Sequence, residues 1–345
     1  MSESPRDMFR VHQLASRIDE TISPLLAGGT AHRRIMLIDP PAHPNVGDTA
    51  ILLGELAFLR RALPGATVGA VAHNAYTPRM DEEIERADLL LFHGGGNFGD
   101  LWPHHHEFRL RIIERFPHKP MLQFPQSIHF REAGLLERTQ RAIEATQQFV
   151  LLARDDKTYA FATGALPCEV ELCPDMAFSL GPLEGRSATV DYACLLRTDK
   201  ELLEAKSSAI SASLTEVGTT FSIDDWIRGP IPINRLYTAL TMMVRNARPA
   251  VMAARLTLDI FELYARSRVR FGLSLLGRGR AVVTDRLHGY ILATMLGKPR
   301  YFFDTLDGKL RAFHQTWLAD DPDSRFMNNA AEFCHLLRSR SVAVA

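Results

Sequence analysis

Short apolar runs with the character of buried strands alternate with helical runs along almost the whole of this sequence. Clear strand runs are Arg34–Asp39 and Asp88–His93 in the first half, and Tyr192–Leu196 and Ala281–Thr284 in the second. Continuous apolar runs suit strands covered on both faces, and the helical runs between them supply the crossovers that parallel strands need. The alternation therefore predicts an α/β protein built on parallel sheets.

The chain length and one interruption of the pattern predict two domains. A single hydrophobic core rarely serves 345 residues, and the Gly- and Pro-containing stretch Leu180–Ala188 breaks the alternation. We therefore expect one Rossmann-like domain at 1–180 and a second at 189–345, with the final stretch Lys309–Arg338 mostly helical. Two sheets that faced each other would bring the motifs at their strand ends into one cleft.

The N-terminal stretch 8–27 carries apolar residues at helical spacing, and Gly28–Gly29 follows it. We expect this helix to pack against the first domain. A dimer contact and a peripheral contact with a membrane surface stay open as alternatives, although the polar face of the helix is not strongly basic.

Charge and cysteine content exclude several classes of protein. Lys and Arg together number 40, as do Asp and Glu, so the chain has no net positive charge to hold nucleic acid. No apolar run is long enough to span a bilayer, and no secretory hydrophobic region follows the polar N-terminus. The four cysteines form no Cys-x-x-Cys pair and predict buried, reduced thiols rather than zinc ligands.

The most informative motif follows the strand Ala281–Thr284. Asp285 stands where a helix N-cap belongs, and Arg286 and His288 fall in the first turn of the following helix. Backbone N–H groups at that end have no partner inside the helix, so a guanidinium and an imidazole beside them indicate a site for a phosphate or a carboxylate. The open alternative is a structural one, with Asp285 as a cap, Arg286 solvated and His288 facing the core.

Polar and glycine residues also follow strands in the first half, where open α/β sheets bind their ligands. Asn45 and Asp48 suit hydrogen bonds to sugar hydroxyls, and Asp48 is equally suited to capping the helix that follows. The loop His93–Asn97 allows close approach of its backbone to a ligand, and Gln126 and Ser127 offer further polar contacts.

Three other polar motifs favour structural roles. Arg154–Asp155 is typical of an ion pair or a helix cap, and Asp175 suits a turn as well as a ligand contact. His104–His106 invites comparison with a metal site, but adjacent histidines on a helix point in different directions. We therefore predict a solvated helix start there, and a metal site stays open only as an alternative.

The motifs of three enzyme classes are incomplete. His93–Gly96 is similar to the oxyanion loop of esterases, but no Gly-x-Ser-x-Gly elbow accompanies it. The glycine-rich loop does not open a helix as a dinucleotide fingerprint does, and no Walker lysine follows it. Esterase, nicotinamide and ATP chemistry are therefore unsupported.

Taken together, these motifs resemble the polysaccharide pyruvyl transferase family. The matching segments come in family order over most of the chain: Asn45–Asp48, His93–Asn97, Phe124–Ser127, Arg154–Asp155, Pro174–Asp175, Thr284–Gly289 and Gly297–Pro299. The resemblance implies a two-domain fold similar to GT-B glycosyltransferases, with Rossmann-like domains facing across a cleft.

The resemblance also implies an activity and a donor site. A pyruvyl group would move from phosphoenolpyruvate to two hydroxyls of a sugar in a bacterial exopolysaccharide or other surface glycan, forming a pyruvate ketal. The donor would be bound by Arg286, Leu287 and His288, with Arg197 added by its position at the end of a strand. His288 is the candidate acid or base, and Asp285 either orients His288 or caps the helix. Phosphoenolpyruvate is then a substrate, and neither a cofactor nor a metal is expected.

The acceptor, a sugar or a lipid-linked oligosaccharide, is assigned to the first domain. Its candidate contacts are Asn45, Asp48, Gly94, Gly95, Asn97, Gln126 and Ser127. The resemblance implies a cytoplasmic enzyme, and contact with the inner face of the plasma membrane stays open. Two other functions stay open: a GT-B glycosyltransferase that uses a nucleotide sugar, and a non-catalytic binding protein of a glycan pathway.

Overall fold

The predicted alternation is present in the computed structural model, which describes residues 5–27, 34–197, 206–229, 231–245, 250–305 and 307–342. The strands are β1 Arg34–Ile38, β2 Thr67–Val71, β3 Leu89–Phe92, β4 Gly95–Gly99, β5 Pro120–His129, β6 Gln148–Ala153, β7 Glu169–Leu172, β8 Val190–Leu195, β9 Phe221–Asp224, β10 Gly279–Thr284, β11 Arg300–Phe303 and β12 Ser324–Met327. The helices are α1 Pro5–Ala27, α2 Val46–Ala62, α3 Asp81–Glu85, α4 Pro103–Arg115, α5 Ala133–Glu144, α6 Asp156–Ala165, α7 Ser207–Glu216, α8 Ile231–Arg245, α9 Ala250–Gly277, α10 Leu287–Met295, α11 Lys309–Trp317 and α12 Ala330–Val342.

The chain divides into two units, each built on its own parallel sheet, as expected for two Rossmann-like domains. The seven-stranded unit comprises Leu14–Leu180 and Pro230–Arg268. The five-stranded unit comprises Met1–Gln13, Gly181–Gly229 and Val269–Ala345.

The sheet of the seven-stranded unit has the order β2-β1-β3-β5-β6-β7, with β4 paired to β5 off this path. Ile38, the last residue of β1, lies opposite Val71 at the end of β2 and Phe92 at the end of β3. Because these three strands end level with one another, the residues that follow them share one edge of the sheet. That edge carries Asp39 and His93.

The sheet of the five-stranded unit has the order β12-β11-β10-β8-β9. Thr284 at the end of β10 lies opposite Leu195 of β8, which in turn lies opposite Asp224 of β9. The loops after β8, β9 and β10 therefore leave the sheet side by side.

One segment lies in a different unit from the predicted second domain. Pro230–Arg268 belongs to the seven-stranded unit, where Ala253 and Ala254 are part of the buried core. Tyr237 also donates a 3.3 Å hydrogen bond to the carbonyl of Pro41. This return of the chain depends on tertiary packing, so the alternation of elements along the sequence does not show it.

The prediction that 309–338 is mostly helical is wrong in its middle. Ser324–Met327 forms β12 and pairs with β11 at the edge of the five-stranded sheet. Of its four residues only Met327 is buried, so this short edge strand lacks the apolar run that identified the central strands.

The predicted N-terminal helix is confirmed as α1, and its apolar face is used within the chain. Val11, Ile18 and Ile22 are fully buried, and Asp19 pairs with Arg61 of α2 at 2.9 Å. Gly28–Gly29 lies outside the described residues. None of the helices described here is both long and apolar enough to cross a membrane.

Candidate functional site

The strand, turn and helix around Arg286 are confirmed, but the cap was wrongly assigned. Helix α10 begins at Leu287, and its N-cap residue is Arg286, whose backbone is extended with φ −108° and ψ 125°. Asp285 therefore lies one residue before the cap, and no side chain caps this helix. The carboxylate of Asp285 does not cap the helix, because it bonds to Arg197 after the neighbouring strand instead.

Asp285 connects the ends of β8 and β10. Its Oδ1 accepts a 2.8 Å hydrogen bond from the backbone N–H of Arg197, and its Oδ2 lies 3.8 Å from Nζ of Lys206. Burial raises the pKa of Asp285 above its ordinary value, against the lowering effect of the Arg197 hydrogen bond and the Lys206 charge. Arg197 was assigned to the site only by its position at the end of a strand. Its backbone is joined directly to Asp285, the first residue of the Asp285–Gly289 segment.

Arg286 is buried, so the solvated alternative for this side chain is wrong. Its Nη2 donates to both carboxylate oxygens of Asp225, at 2.8 and 2.9 Å. Asp225 follows β9 and also accepts a 3.2 Å hydrogen bond from the backbone N–H of Ile227. The guanidinium is therefore held in place by a carboxylate that is itself fixed.

His288 lies in the first turn of α10 and is buried. The next residue explains how the helix reaches this position. A Cβ on Gly289 would lie 2.5 Å from Oγ1 of Thr284 and 2.9 Å from Cδ2 of Leu195. Only glycine lets α10 approach β8 and β10 this closely, and that approach sets the place of His288 at the strand ends.

Asn45, not Asp48, caps helix α2. The side chain of Asn45 accepts a 3.2 Å hydrogen bond from the backbone N–H of Gly47, and its amide donates to Oδ2 of Asp48 at 2.7 Å. The predicted capping role of Asp48 is wrong because α2 begins at Val46 and places Asp48 inside the first turn. Both polar side chains are half-buried and fixed against each other.

The glycine-rich loop is anchored by a buried carboxylate. Glu55 of α2 binds Nδ1 of His93 at 2.9 Å through one oxygen and accepts a 2.8 Å hydrogen bond from the Gly94 backbone N–H through the other. Gly95 has φ +121°, a conformation that favours glycine. The predicted loop is thus a rigid segment that continues into β4.

Asn97 and Gln126 form a pair across β4 and β5. Nε2 of Gln126 donates to Oδ1 of Asn97 at 2.8 Å and to the carbonyl of His93 at 3.1 Å. Gln126 is fully buried, whereas Asn97 is half-buried. The glutamine therefore positions the asparagine, and Asn97 is the member of the pair that a ligand can reach.

Ser127 is held by Arg154 and Asp155, the pair that was predicted to be structural. Its hydroxyl accepts hydrogen bonds from Arg154 and donates to Asp155 at 2.7 Å. Asp155 caps α6 by accepting from the backbone N–H of Thr158, which confirms the capping role. The ion pair of Arg154 is formed with Asp175 at 2.9 Å.

The prediction of a solvated helix start at His104–His106 is wrong for two of the three residues. His105 and His106 are buried and contact different neighbours. Nδ1 of His105 binds Asp39, whereas Nε2 of His106 binds the hydroxyl of Thr139 at 2.9 Å. The expected divergence of adjacent side chains is therefore confirmed.

The sequence did not point to four residues that contact the predicted motifs: Asp39 and His73 beside His105, Lys206 beside Asp285, and Asp225 beside Arg286. Asp39 and Asp225 each follow a strand directly, which is the same signal that identified Asp285. The two others come close to the sites only through the packing of the chain.

Comparison with known proteins agrees with the motifs. The sequence pattern of the polysaccharide pyruvyl transferase family matches residues 45–307. Pyruvyl transferase 1 of Schizosaccharomyces pombe is 31% identical over 301 residues, which cover 83% of this chain and 70% of that protein. The putative pyruvyl transferase EpsO of Bacillus subtilis is 27% identical over 326 residues, covering 93% of this chain and 96% of the relative.

A solved structure supports the fold. An uncharacterised protein from Klebsiella pneumoniae superposes with a TM-score of 0.58 at 22% sequence identity. The match covers 90% of this chain and 98% of that chain. At this level of identity the likeness concerns architecture alone.

Proposed function

The chain belongs to the polysaccharide pyruvyl transferase family, and from this membership we propose that it moves a pyruvyl group from phosphoenolpyruvate to two hydroxyls of a sugar. The sugar belongs to a bacterial exopolysaccharide or other surface glycan, and the product is a cyclic pyruvate ketal. The observation that carries the proposal is the buried Arg286–His288 segment at the start of α10, joined through Asp285 to Arg197.

The donor site suits the charge of phosphoenolpyruvate, which carries a phosphate and a carboxylate. We assign the donor to Arg286, the Leu287 backbone, His288 and Arg197. The N–H groups at the start of α10 favour an anion, and arginine matches the planar geometry of carboxylate and phosphate oxygens. Lys206, which lies 3.8 Å from Asp285, adds a further positive charge to the same strand ends.

The reaction needs proton transfer at two points. One proton adds to the methylene carbon of phosphoenolpyruvate, and the neighbouring carbon becomes electrophilic. A sugar hydroxyl attacks that carbon, the C–O bond to phosphate breaks, and a second hydroxyl closes the ring. The two sugar hydroxyls lose two protons in total. One of them replaces the proton added to the methylene carbon, which becomes a methyl group, and the other leaves with phosphate.

We assign the proton transfer to His288, because an imidazole exchanges protons near neutral pH. Such a group contributes roughly 10²–10⁴ in rate. Asp285 is assigned a positioning role, because its contacts are with the Arg197 backbone and Lys206.

The acceptor is assigned to the seven-stranded unit. Asn45, Asp48, Asn97 and Ser127 are half-buried polar side chains, each held by a neighbour. Gly94 and Gly95 are assigned to the same site, and buried Gln126 supports Asn97. Such fixed hydrogen-bonding groups suit sugar hydroxyls.

The test is phosphate release from phosphoenolpyruvate across a panel of free and lipid-linked oligosaccharides, with acceptor-free reactions as the control. We expect release that depends on one acceptor class and yields a product heavier by a pyruvate ketal. Thermal protection separates the main alternative, because a ligand that binds only the folded protein raises its melting temperature. Protection by nucleotide sugars, with none by phosphoenolpyruvate, would support a glycosyltransferase instead.

A further inference from the structure

Three potential metal ligands from separate segments meet at the edge of the seven-stranded sheet. Asp39 follows β1, His73 follows β2, and His105 lies in the first turn of α4. One ligand atom from each residue lies within 4.8 Å of the others. Asp39 and His105 are buried, whereas His73 is partly exposed and leaves a route from solvent.

The distances suit a shared cation. Oδ1 of Asp39 lies 3.0 Å from Nδ1 of His73 and 3.1 Å from Nδ1 of His105. In a tetrahedral zinc site with bonds of about 2.0–2.1 Å, neighbouring ligand atoms are about 3.3 Å apart. We propose that Asp39, His73 and His105 bind a divalent transition-metal ion, with Zn²⁺ as the best match to two imidazoles and one carboxylate.

The surroundings of Asp39 are those of a fixed metal ligand. Nη2 of Arg109 lies 3.3 Å from Oδ2, which leaves Oδ1 for the ion, and the same nitrogen donates to the carbonyl of His93 at 3.0 Å. Partners of this kind orient the carboxylates and imidazoles that bind metals. Asp39 is also the one non-glycine residue with positive φ, +62°, in the part of the chain that the structure describes. Strained backbone of this kind is concentrated at functional sites.

The three proposed ligands are already in contact with one another. In the metal-free protein the two imidazoles bond to the Asp39 carboxylate and keep the same three atoms together.

Two further imidazoles, those of His104 and His43, lie beside the cluster, and either could provide a fourth ligand. The ring centroid of His104 lies 5.3 Å from that of His73, and the ring of His43 lies 5.7 Å from that of His105. His43 also lies 3.5 Å from Asp48, a proposed acceptor contact. A bound ion would therefore stabilise the loop that leads to the acceptor residues, in contrast to the expectation from sequence that no metal is present.

The experiment measures Zn²⁺ binding to the full-length protein after treatment with EDTA. We expect one Zn²⁺ per chain by equilibrium dialysis with elemental analysis, with a Kd below about 1 μM. His73→Ala removes a ligand at a partly exposed position and should weaken binding by more than about 100-fold, because loss of a ligand's hydrogen-bond partner alone costs 10–100-fold. His118→Ala, an exposed histidine on the same unit, is the matched control and should bind like the parent protein.

Cobalt gives a readout independent of activity. Co²⁺ should produce visible absorption bands in the parent protein and in His118→Ala, and these bands should be absent in His73→Ala. The proposal is overturned if the parent protein retains no stoichiometric Zn²⁺, or if His73→Ala binds it as tightly as the parent. His105→Ala, checked for folding by circular dichroism, provides a second loss of ligand, and His73→Ala alone decides if that variant does not fold.

Discussion

The backbone N–H of Arg197 donates a 2.8 Å hydrogen bond to Oδ1 of Asp285. The two residues follow adjacent strands, because Leu195 of β8 lies opposite Thr284 of β10. The bond is made by the main chain of Arg197, so it does not depend on the identity of that side chain. The side chain and the strand-end geometry can therefore be tested separately.

Arg197→Ala should weaken phosphoenolpyruvate binding and leave acceptor binding intact. The variant keeps the backbone bond to Asp285 and removes only the guanidinium. Hydrogen bonds to charged groups contribute about 1.5–3 kcal/mol, so the Kd for the donor should rise by roughly 10- to 150-fold in titration calorimetry. Arg280→Ala, which removes an exposed arginine of the same unit, should leave the Kd unchanged. An unaltered donor affinity in Arg197→Ala would remove this side chain from the site.

His288→Ala should give folded protein whose kcat for pyruvyl transfer is lower by roughly 10²–10⁴. The loss follows from the proposed proton transfer, so it should appear in kcat more than in the affinity for phosphoenolpyruvate. The measurement is phosphate release with an active acceptor, and His335→Ala, at an exposed position, is the control. Full activity in His288→Ala would refute the assignment.

Arg286→Ala should lose both activity and stability, for different reasons. The guanidinium is assigned to the donor, and it is also the ion-pair partner of Asp225, with both side chains at most 4% exposed. Removing one member of a buried pair costs about 3 kcal/mol. The double variant Arg286→Ala with Asp225→Asn should recover stability in urea unfolding but remain inactive. Recovery of activity together with stability would show that Arg286 has only a structural role.

The donor segment was predictable because its signals are local. A buried strand, a polar turn and an apolar helix follow one another directly in Ala281–Met295, and the structure has them in that order. The error was one residue at the cap, where Asp285 bonds to Arg197 on another strand instead of to its own helix. A tertiary partner thus overrode a local preference for capping.

The partners of the site residues could not be predicted from the sequence. Asp225 reaches Arg286 because β9 and β10 lie on either side of β8, and Asp39 reaches His73 because β1 and β2 are neighbours. Strand order follows from the packing of the whole unit, and the periodicity of the sequence does not reveal that order. The same limit explains why Pro230–Arg268 was assigned to the second domain.

Gly289→Ala should destabilise the protein and reduce activity. The added Cβ would lie 2.5 Å from Oγ1 of Thr284, so α10 would have to move away from β10 and displace His288. Overpacking of this kind typically costs 1–3 kcal/mol, to be measured by urea unfolding. Gly164→Ala in α6 is the matched control, because a Cβ there meets nothing within 4 Å and alanine favours helix. Equal stability in both variants would show that the close approach of α10 does not depend on glycine.

His106 should make the folded state less stable in mild acid. Burial, with smaller effects from the charges of Arg109 and Arg138, lowers the pKa of His106 to about 3. Its Nε2 binds the hydroxyl of Thr139, which itself donates to a backbone carbonyl, so His106 is the donor and is neutral. Nδ1 is buried with no hydrogen-bond partner among the described residues, so a proton there would be costly.

The sign of the pH effect follows from proton uptake. Between pH 6.5 and about 3 the unfolded chain binds a proton at this histidine that the folded protein does not, so stability falls as the pH falls through that window. From pH 7 to pH 5 this group should cost about 2 kcal/mol of unfolding free energy. His106→Gln keeps a donor for Thr139 but does not titrate. From pH 7 to pH 5 its unfolding free energy should therefore fall by about 2 kcal/mol less than that of the parent protein. His12→Gln, an exposed control, should retain the full pH dependence, and a parallel decline in the parent and His106→Gln would show that this imidazole is protonated in the folded state.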